Sequence, residues 1–244
     1  MISQLWHLAV YQPLYNVLVF LNDVLPLHSM GAAIIILTLV VKLALYPLTG
    51  KSIKAQRAMK ELEPELKALR EKYKDDKAEL SKKTMQLYQE RGVSPFSGCL
   101  PMLIQIPIII GLYYVFLKGI KVVDTSVLYS FVTAPEHFDM HFLFFDLAAK
   151  SVLLALTAGL TQFAQTHLSL GRQPVAPPKD AANPTFQEDF AKSMQVQMRY
   201  VLPIMISFIA YSTSAAVALY WTTSNILSIV QELQMTRKSK GSQK

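Results

Sequence analysis

Charge is scarce along much of this 244-residue chain, and where it is missing the gaps are long. Asp, Glu, Lys and Arg make up 17% of residues, yet residues 31 to 48 hold one charge, Lys42, and 97 to 117, 151 to 171 and 200 to 231 hold none. The cores of soluble proteins do not run so far without a charge, and about 17 to 25 apolar residues is the length that a bilayer core requires. Cysteine is nearly absent: Cys99 alone excludes a disulfide framework and a cysteine-built zinc site. Residues 1 to 30 contain no Lys or Arg, which excludes a basic signal peptide or an Arg-rich transit peptide there. No internal repeat is evident, which weakens an inverted-repeat transporter. The spans are read as free of Asp and Glu, so no buried carboxylate is expected for proton coupling or acid chemistry. His137 and His141 have helical spacing but no third ligand, and a metal site is not expected.

What is present organises itself around those runs. Leu14, Val17, Leu18, Leu21 and Leu25 recur at helical spacing, with Asn16 and Asp23 on another face. They predict an amphipathic helix that lies in the membrane interface and ends at Pro26. The run 200 to 231 as one helix would be about 48 Å long at 1.5 Å per residue, more than a bilayer needs. Basic residues decide between one helix and two. Residues 51 to 96 carry twelve Lys and Arg, 169 to 199 carry four and 234 to 244 carry four, against none in 1 to 30 and 212 to 218. Only a turn at Ser212, Thr213 and Ser214 puts all three basic segments on the cytoplasmic side.

The expected architecture is therefore an all-α integral membrane protein with five transmembrane helices, N-terminus outside and C-terminus cytoplasmic. Its expected parts are an external amphipathic helix at 1–29, spans at 30–50, 97–118, 147–169, 198–213 and 215–235, an external loop at 119–146, cytoplasmic segments at 51–96 and 170–197, and a basic tail at 236–244. Lys118 and Lys121 fall on the outer side, balanced by Asp124, Glu136, Asp139 and Asp146. Segment 51–96 carries Met59, Leu62, Leu66, Leu69 and Tyr73 at alternating steps of three and four, then a charged turn at Lys74–Lys77, then Leu80, Thr84 and Leu87. That is a two-stranded helical seam, a hairpin projecting into water, kinked at Pro64. The loop at 170–197, with Pro174, Pro177, Pro178 and Pro184, reads as flexible.

Polar residues recur at similar depth from the cytoplasmic ends of the spans. Lys42 lies about 9 Å in, Gln105 about 10 Å, and Ser207, Ser224 and Asn225 about 12 Å, with Gln162 and Gln165 in the last turns of their span. Taken singly each reads as structural: Lys42 can snorkel, and Gln105, Ser207 and Asn225 can bond between helices. Their shared depth points instead to a wet cavity open to the cytosol, with Trp221 on its wall or in an aromatic belt.

The run Val41-Lys42-Leu43-Ala44-Leu45-Tyr46-Pro47-Leu48, then Glu63-Pro64-Glu65, then Gly92 to Pro101 with Gln105 and Pro107, resembles the bacterial YidC/Oxa/Alb insertases, as do Leu219 to Asn225 and Gln231. The resemblance covers residues 12 to 236 in order. It implies a five-helix core with a hydrophilic groove open to the cytoplasm, in the bacterial plasma membrane. The hairpin would receive substrates through Met59, Leu62, Leu66, Leu69, Tyr73, Leu80 and Leu87. The groove would be formed by Lys42, Gln105, Gln162, Ser207, Trp221, Ser224 and Asn225. The groove charge of bacterial relatives is usually arginine, so Lys42 keeps the charge and loses the bidentate fork. The implied partners are nascent membrane proteins and membrane lipids, with the ribosome, the signal recognition particle pathway and the Sec translocon as candidates. No enzyme activity, cofactor or specific nucleic-acid substrate is implied. Two rivals remain: a small channel or transporter using the same cavity, and an assembly factor acting through its hairpin.

Overall fold

A computed structural model of the chain describes residues 2–25, 28–74, 76–94, 100–116, 123–135, 138–170 and 193–241. Pro26, Cys99, Lys118, Lys121, Glu136, His137 and the proline-rich stretch within 170–197 lie outside the described residues. The fold is mostly helical. Helix α1 (Ile2–Trp6) runs through a π-helical turn (His7–Tyr11) into α2 (Gln12–Val24). Helices α3 (Met30–Ala44) and α4 (Tyr46–Glu61) follow, then α5 (Glu63–Lys72) and α6 (Lys77–Glu90). Helix α7 is Leu100–Tyr114, and a short hairpin of β1 (His141–Phe142) and β2 (Phe145–Asp146) departs from the all-helical expectation. Helices α8 (Val152–Leu170), α9 (Leu202–Ser212) and α10 (Ala215–Gly241) complete the chain.

Proline sets several of these bounds. Pro47 cannot donate to the ladder and disfavours a helical residue before it, and the chain bends by 64° between α3 and α4, at Leu45. Pro64 sits in the first turn of α5, where its missing N–H costs nothing, so the kink expected there falls at Leu62. The break between α9 and α10 falls at Thr213 and Ser214, with Thr213 donating through its backbone N–H to the Ile209 carbonyl.

The helices share two ends. At one, Met30 N–H donates to the Asp139 carbonyl, and Ala215 and Ala216 N–H donate to the carbonyls of Ala149 and Leu147. The starts of α3 and α10 are thereby tied to the loop that leads into α8. At the other end, Thr49 meets Gln231 and Ser169 meets Glu232. Helix α8 packs against both α9 and α10, and α10 packs also against α3. Tyr15, Leu18, Met30, Ile34, Leu37, Leu147, Ala158 and Ala218 form part of one continuous core. A second, smaller cluster of Leu62, Leu66 and Leu87 joins α5 to α6.

Asn16 does not occupy a solvent face. It is buried, donates to the Val127 carbonyl at 2.9 Å and accepts from Tyr129 N–H at 2.6 Å. The loop after α7 has no ladder of its own there, and Asn16 satisfies two of its backbone groups.

No single helix among the described residues is long and apolar enough by itself to cross a membrane. The α3–α4 pair reaches that length and composition together. Large apolar side chains nonetheless lie on the surface and several polar ones lie inside: Leu160, Ile204 and Phe208 are 68 to 70% exposed, while Ser224, Asn225, Gln231 and Gln162 are buried.

Candidate functional site

Helix α10 is the axis on which the expected groove residues are arranged, and it divides them into two seams. On the side facing α3 and α7, Tyr220, Ser224, Ser228 and Gln231 follow one another at steps of four, four and three, one face of a helix. Lys42 Nζ donates to Ser228 Oγ at 2.8 Å, and Ser228 donates to the Ser224 carbonyl at 2.9 Å. Gln105 Nε2 donates to the Tyr220 hydroxyl at 2.5 Å, and Ser224 lies one turn further along the same face. Gln231 Nε2 donates to Thr49 Oγ1 at 2.7 Å and to the Tyr46 carbonyl at 3.2 Å. Lys42, Gln105 and Ser224 thus share a polar strip with four groups that sequence reasoning did not assign to the groove: Thr49, Tyr220, Ser228 and Gln231.

On the other side α10 faces α8. Asn225 Nδ2 donates to Thr161 Oγ1 at 3.3 Å and to the Ala158 carbonyl at 3.4 Å, while Thr157 and Thr222 pair at 3.5 Å. Gln162 donates to Thr166 Oγ1 at 3.1 Å along α8, Gln165 reaches Ser169 at 3.2 Å, and Ser169 donates to the Glu232 carboxylate. Ser207 belongs to neither strip. It sits between α8 and α9, against Gly159, where an added Cβ would come within 1.8 Å of its hydroxyl. Trp221 is buried on α10 beside these contacts. Ser207 and Asn225 therefore occupy helix–helix interfaces, and the seven groove candidates do not line one surface.

The expectation of no carboxylate within the spans fails at Glu232. It lies inside the 215–235 segment, one residue beyond the charge-free run, and is buried. Arg57 on α4 approaches the same stretch, donating to the Glu232 carbonyl at 3.1 Å, to the Met235 carbonyl at 3.0 Å and to Thr236 Oγ1. No local pattern marks Arg57 among the twelve basic residues of its segment.

In the hairpin, Leu62, Leu66 and Leu87 come together with Leu69, Tyr88 and Val93 against them, and Leu80 is also buried. Met59 and Tyr73 are half-buried and are not part of that cluster. Asp76 caps α6 by accepting from Glu79 N–H at 2.9 Å. Burial beside the cluster raises the Tyr88 phenol above its ordinary pKa, opposed by the charge of Arg70.

A helical bundle with an apolar outer surface, polar groups turned inward along two seams and a charged two-helix projection is the pattern of an integral membrane protein. The 60Kd inner membrane protein family matches this sequence over residues 20–243, and the chain belongs to that family. Curated relatives in Francisella tularensis subsp. novicida and Francisella philomiragia, each described as a membrane protein insertase YidC, are 37% and 36% identical over 234 residues. Those alignments cover 91% of this chain and 37% of the relatives, so the chain spans little more than a third of their length.

Proposed function

We propose that this chain is a membrane protein insertase, in which the strip formed by Lys42, Gln105 and Ser224 hydrates the short polar flank of a nascent membrane protein as it crosses. The observation that carries this reading is the lysine: Lys42 stands in an apolar helix and is held by Ser228 on the polar face of α10. A cation at such depth is costly, roughly 2.5 to 3.5 kcal/mol at a bilayer's centre on insertion scales, and marks function more often than stability. A strip reaching partway across shortens the apolar distance that the flank must travel and lowers its desolvation barrier. Acidic flanks are drawn by Lys42, burial of the apolar segment in lipid supplies the drive, and no nucleotide enters. Ser207 and Asn225 support the strip by packing α9 and α10 against α8, while Gln162 bonds along α8. Trp221, next to Tyr220 on α10, is buried in the apolar core.

In this reading α3, α7, α8, α9 and α10 cross the plasma membrane, with the N-terminus outside and the C-terminus in the cytoplasm. Support comes from the two shared ends of the bundle and from the basic residues concentrated in 51 to 96. The α5–α6 hairpin meets the incoming apolar segment, and the ribosome, the signal recognition particle pathway and the Sec translocon are the partners it would work beside. The test is insertion of a single-span, short-tailed substrate with an acidic flank into liposomes holding only the purified protein. Insertion should fall with Lys42→Ala plus Gln105→Ala. Unchanged insertion by the double variant sinks the groove assignment, and no insertion by the folded parent favours the scaffold or transporter instead.

A further inference from the structure

The β1–β2 hairpin has a base that is fixed and a tip that is apolar and exposed. At the base, Leu147 N–H donates to the Met140 carbonyl at 2.8 Å, Met30 N–H to the Asp139 carbonyl at 3.1 Å and Ala216 N–H to the Leu147 carbonyl at 3.0 Å. The Phe142 ring lies so close over Gly31 that an added Cβ would come within 2.2 Å of it. The strands pair His141 with Asp146 and Phe142 with Phe145, leaving Leu143 and Phe144 as the two-residue turn. Those two are 79% and 78% exposed. Leu143 holds φ at +56°, the left-handed region that Gly, Asn or Asp adopts readily and a leucine does not. An exposed leucine held in that region is an outlier that points to a role beyond packing within the fold.

We propose that this turn is a membrane anchor, with Leu143 and Phe144 entering the acyl region of the leaflet on the side where α3 and α10 begin. The proposal rests on the membrane-spanning part of the reading above and not on the insertion mechanism. Three observations fix lipid as the occupant. The tip stands clear of the bundle, with both of its side chains more than three-quarters exposed. The chain that leaves it runs into more apolar surface at the start of α8, where Val152, Leu153 and Leu156 are each more than half exposed. Polar groups around it lie where headgroups would be: Lys150 Nζ stands 5.8 Å from the Tyr211 ring, and the Asp139 and Asp146 carboxylates turn back to accept from His141 and Ala148 N–H. An aromatic and a cation at the end of a span are characteristic of the bilayer interface.

The test is collisional accessibility of a spin label in phosphatidylethanolamine–phosphatidylglycerol proteoliposomes, in a Cys99→Ser background. Labels at Phe144→Cys, at the exposed loop position Ser126→Cys and at the α8 surface position Leu160→Cys are compared for relaxation by oxygen and by a water-soluble nickel chelate. The oxygen-to-nickel ratio at 144 should be severalfold that at 126 and approach that at 160. Adding Leu143→Asn, which suits the left-handed turn, should lower the ratio at 144. A ratio at 144 equal to that at 126, with 160 in lipid, overturns the anchor alone. Nickel access at 160 overturns the membrane reading beneath it. Exclusion of both reagents at 144 overturns the anchor in favour of contact with another protein.

Discussion

Gly159 lets α9 approach α8 more closely than any other residue would, because a Cβ there would strike the Ser207 hydroxyl and come within 3.0 Å of the Pro203 carbonyl. Gly159→Ala should therefore separate the two helices and destabilise the bundle by about 1–3 kcal/mol. Equilibrium unfolding in mixed micelles measures this, and adding Ser207→Gly should restore part of the loss. An unchanged midpoint for Gly159→Ala would show that α9 moves aside freely. Asn16→Ala leaves the Tyr129 N–H unpartnered and the Val127 carbonyl with Gln12 Nε2 as its remaining donor, and is expected to cost a similar amount. At this scale the sequence was legible by type and depth more than by direction. Lys42, Gln105 and Ser224 do share a strip, but depth along a span says nothing of which side of a helix a residue faces. Asn225 follows Ser224 by one residue, so it is turned by about 100° toward α8. The steps joining Tyr220, Ser224, Ser228 and Gln231 were present in the sequence, and helical periodicity would have found that strip. Glu232 escaped because it lies just outside a run defined by its lack of charge.

Among the elements, the α5–α6 hairpin has the least to hold it. Its cluster of Leu62, Leu66 and Leu87 is small, and the Arg91–Glu65 pair at 2.6 Å is exposed on both sides, worth no more than about 1 kcal/mol. Amide exchange in α5 and α6 should be much faster than in α8 and the first half of α10, and Leu66→Ala should abolish what protection remains without shifting unfolding of the bundle. Exchange in the hairpin as slow as in α8 would mean that it is held by more than its own contacts. The seam was legible because leucines at steps of three and four can face one partner helix. The bend at Leu45 was foreshadowed by Tyr46-Pro47, yet apolar content alone carried a straight span to residue 50. The β-hairpin was hidden for the opposite reason: His141 to Asp146 has no alternation of apolar and polar residues, and its register is set by contacts with the starts of α3 and α10.

Across the whole molecule, the hairpin's direction depends on how α4 lies along the last part of α10. Thr49 and Gln231 join the two helices near the bend, and Gly50 admits the Met235 side chain, with 3.3 Å from an ideal Cβ to its Cε. Two turns further on, Arg57 spreads its guanidinium over the Glu232 and Met235 carbonyls and Thr236. A fork of fixed donors matched to three acceptors sets an angle, whereas a lysine at the same position offers one compact charge. Arg57→Ala should accordingly loosen the hairpin's orientation without unfolding the bundle, and Arg57→Lys should fall between. Electron–electron distances between labels at Lys77→Cys on α6 and Leu160→Cys on α8, in a Cys99→Ser background, should broaden in the alanine variant while its unfolding midpoint moves less than that of Gly159→Ala. If hairpin orientation matters to capture of the incoming segment, liposome insertion should fall in step with the broadening. A distance distribution unchanged by Arg57→Ala would place control of the hairpin at the Leu45 bend and the Thr49–Gln231 pair, and the guanidinium would then only complete the packing of α10.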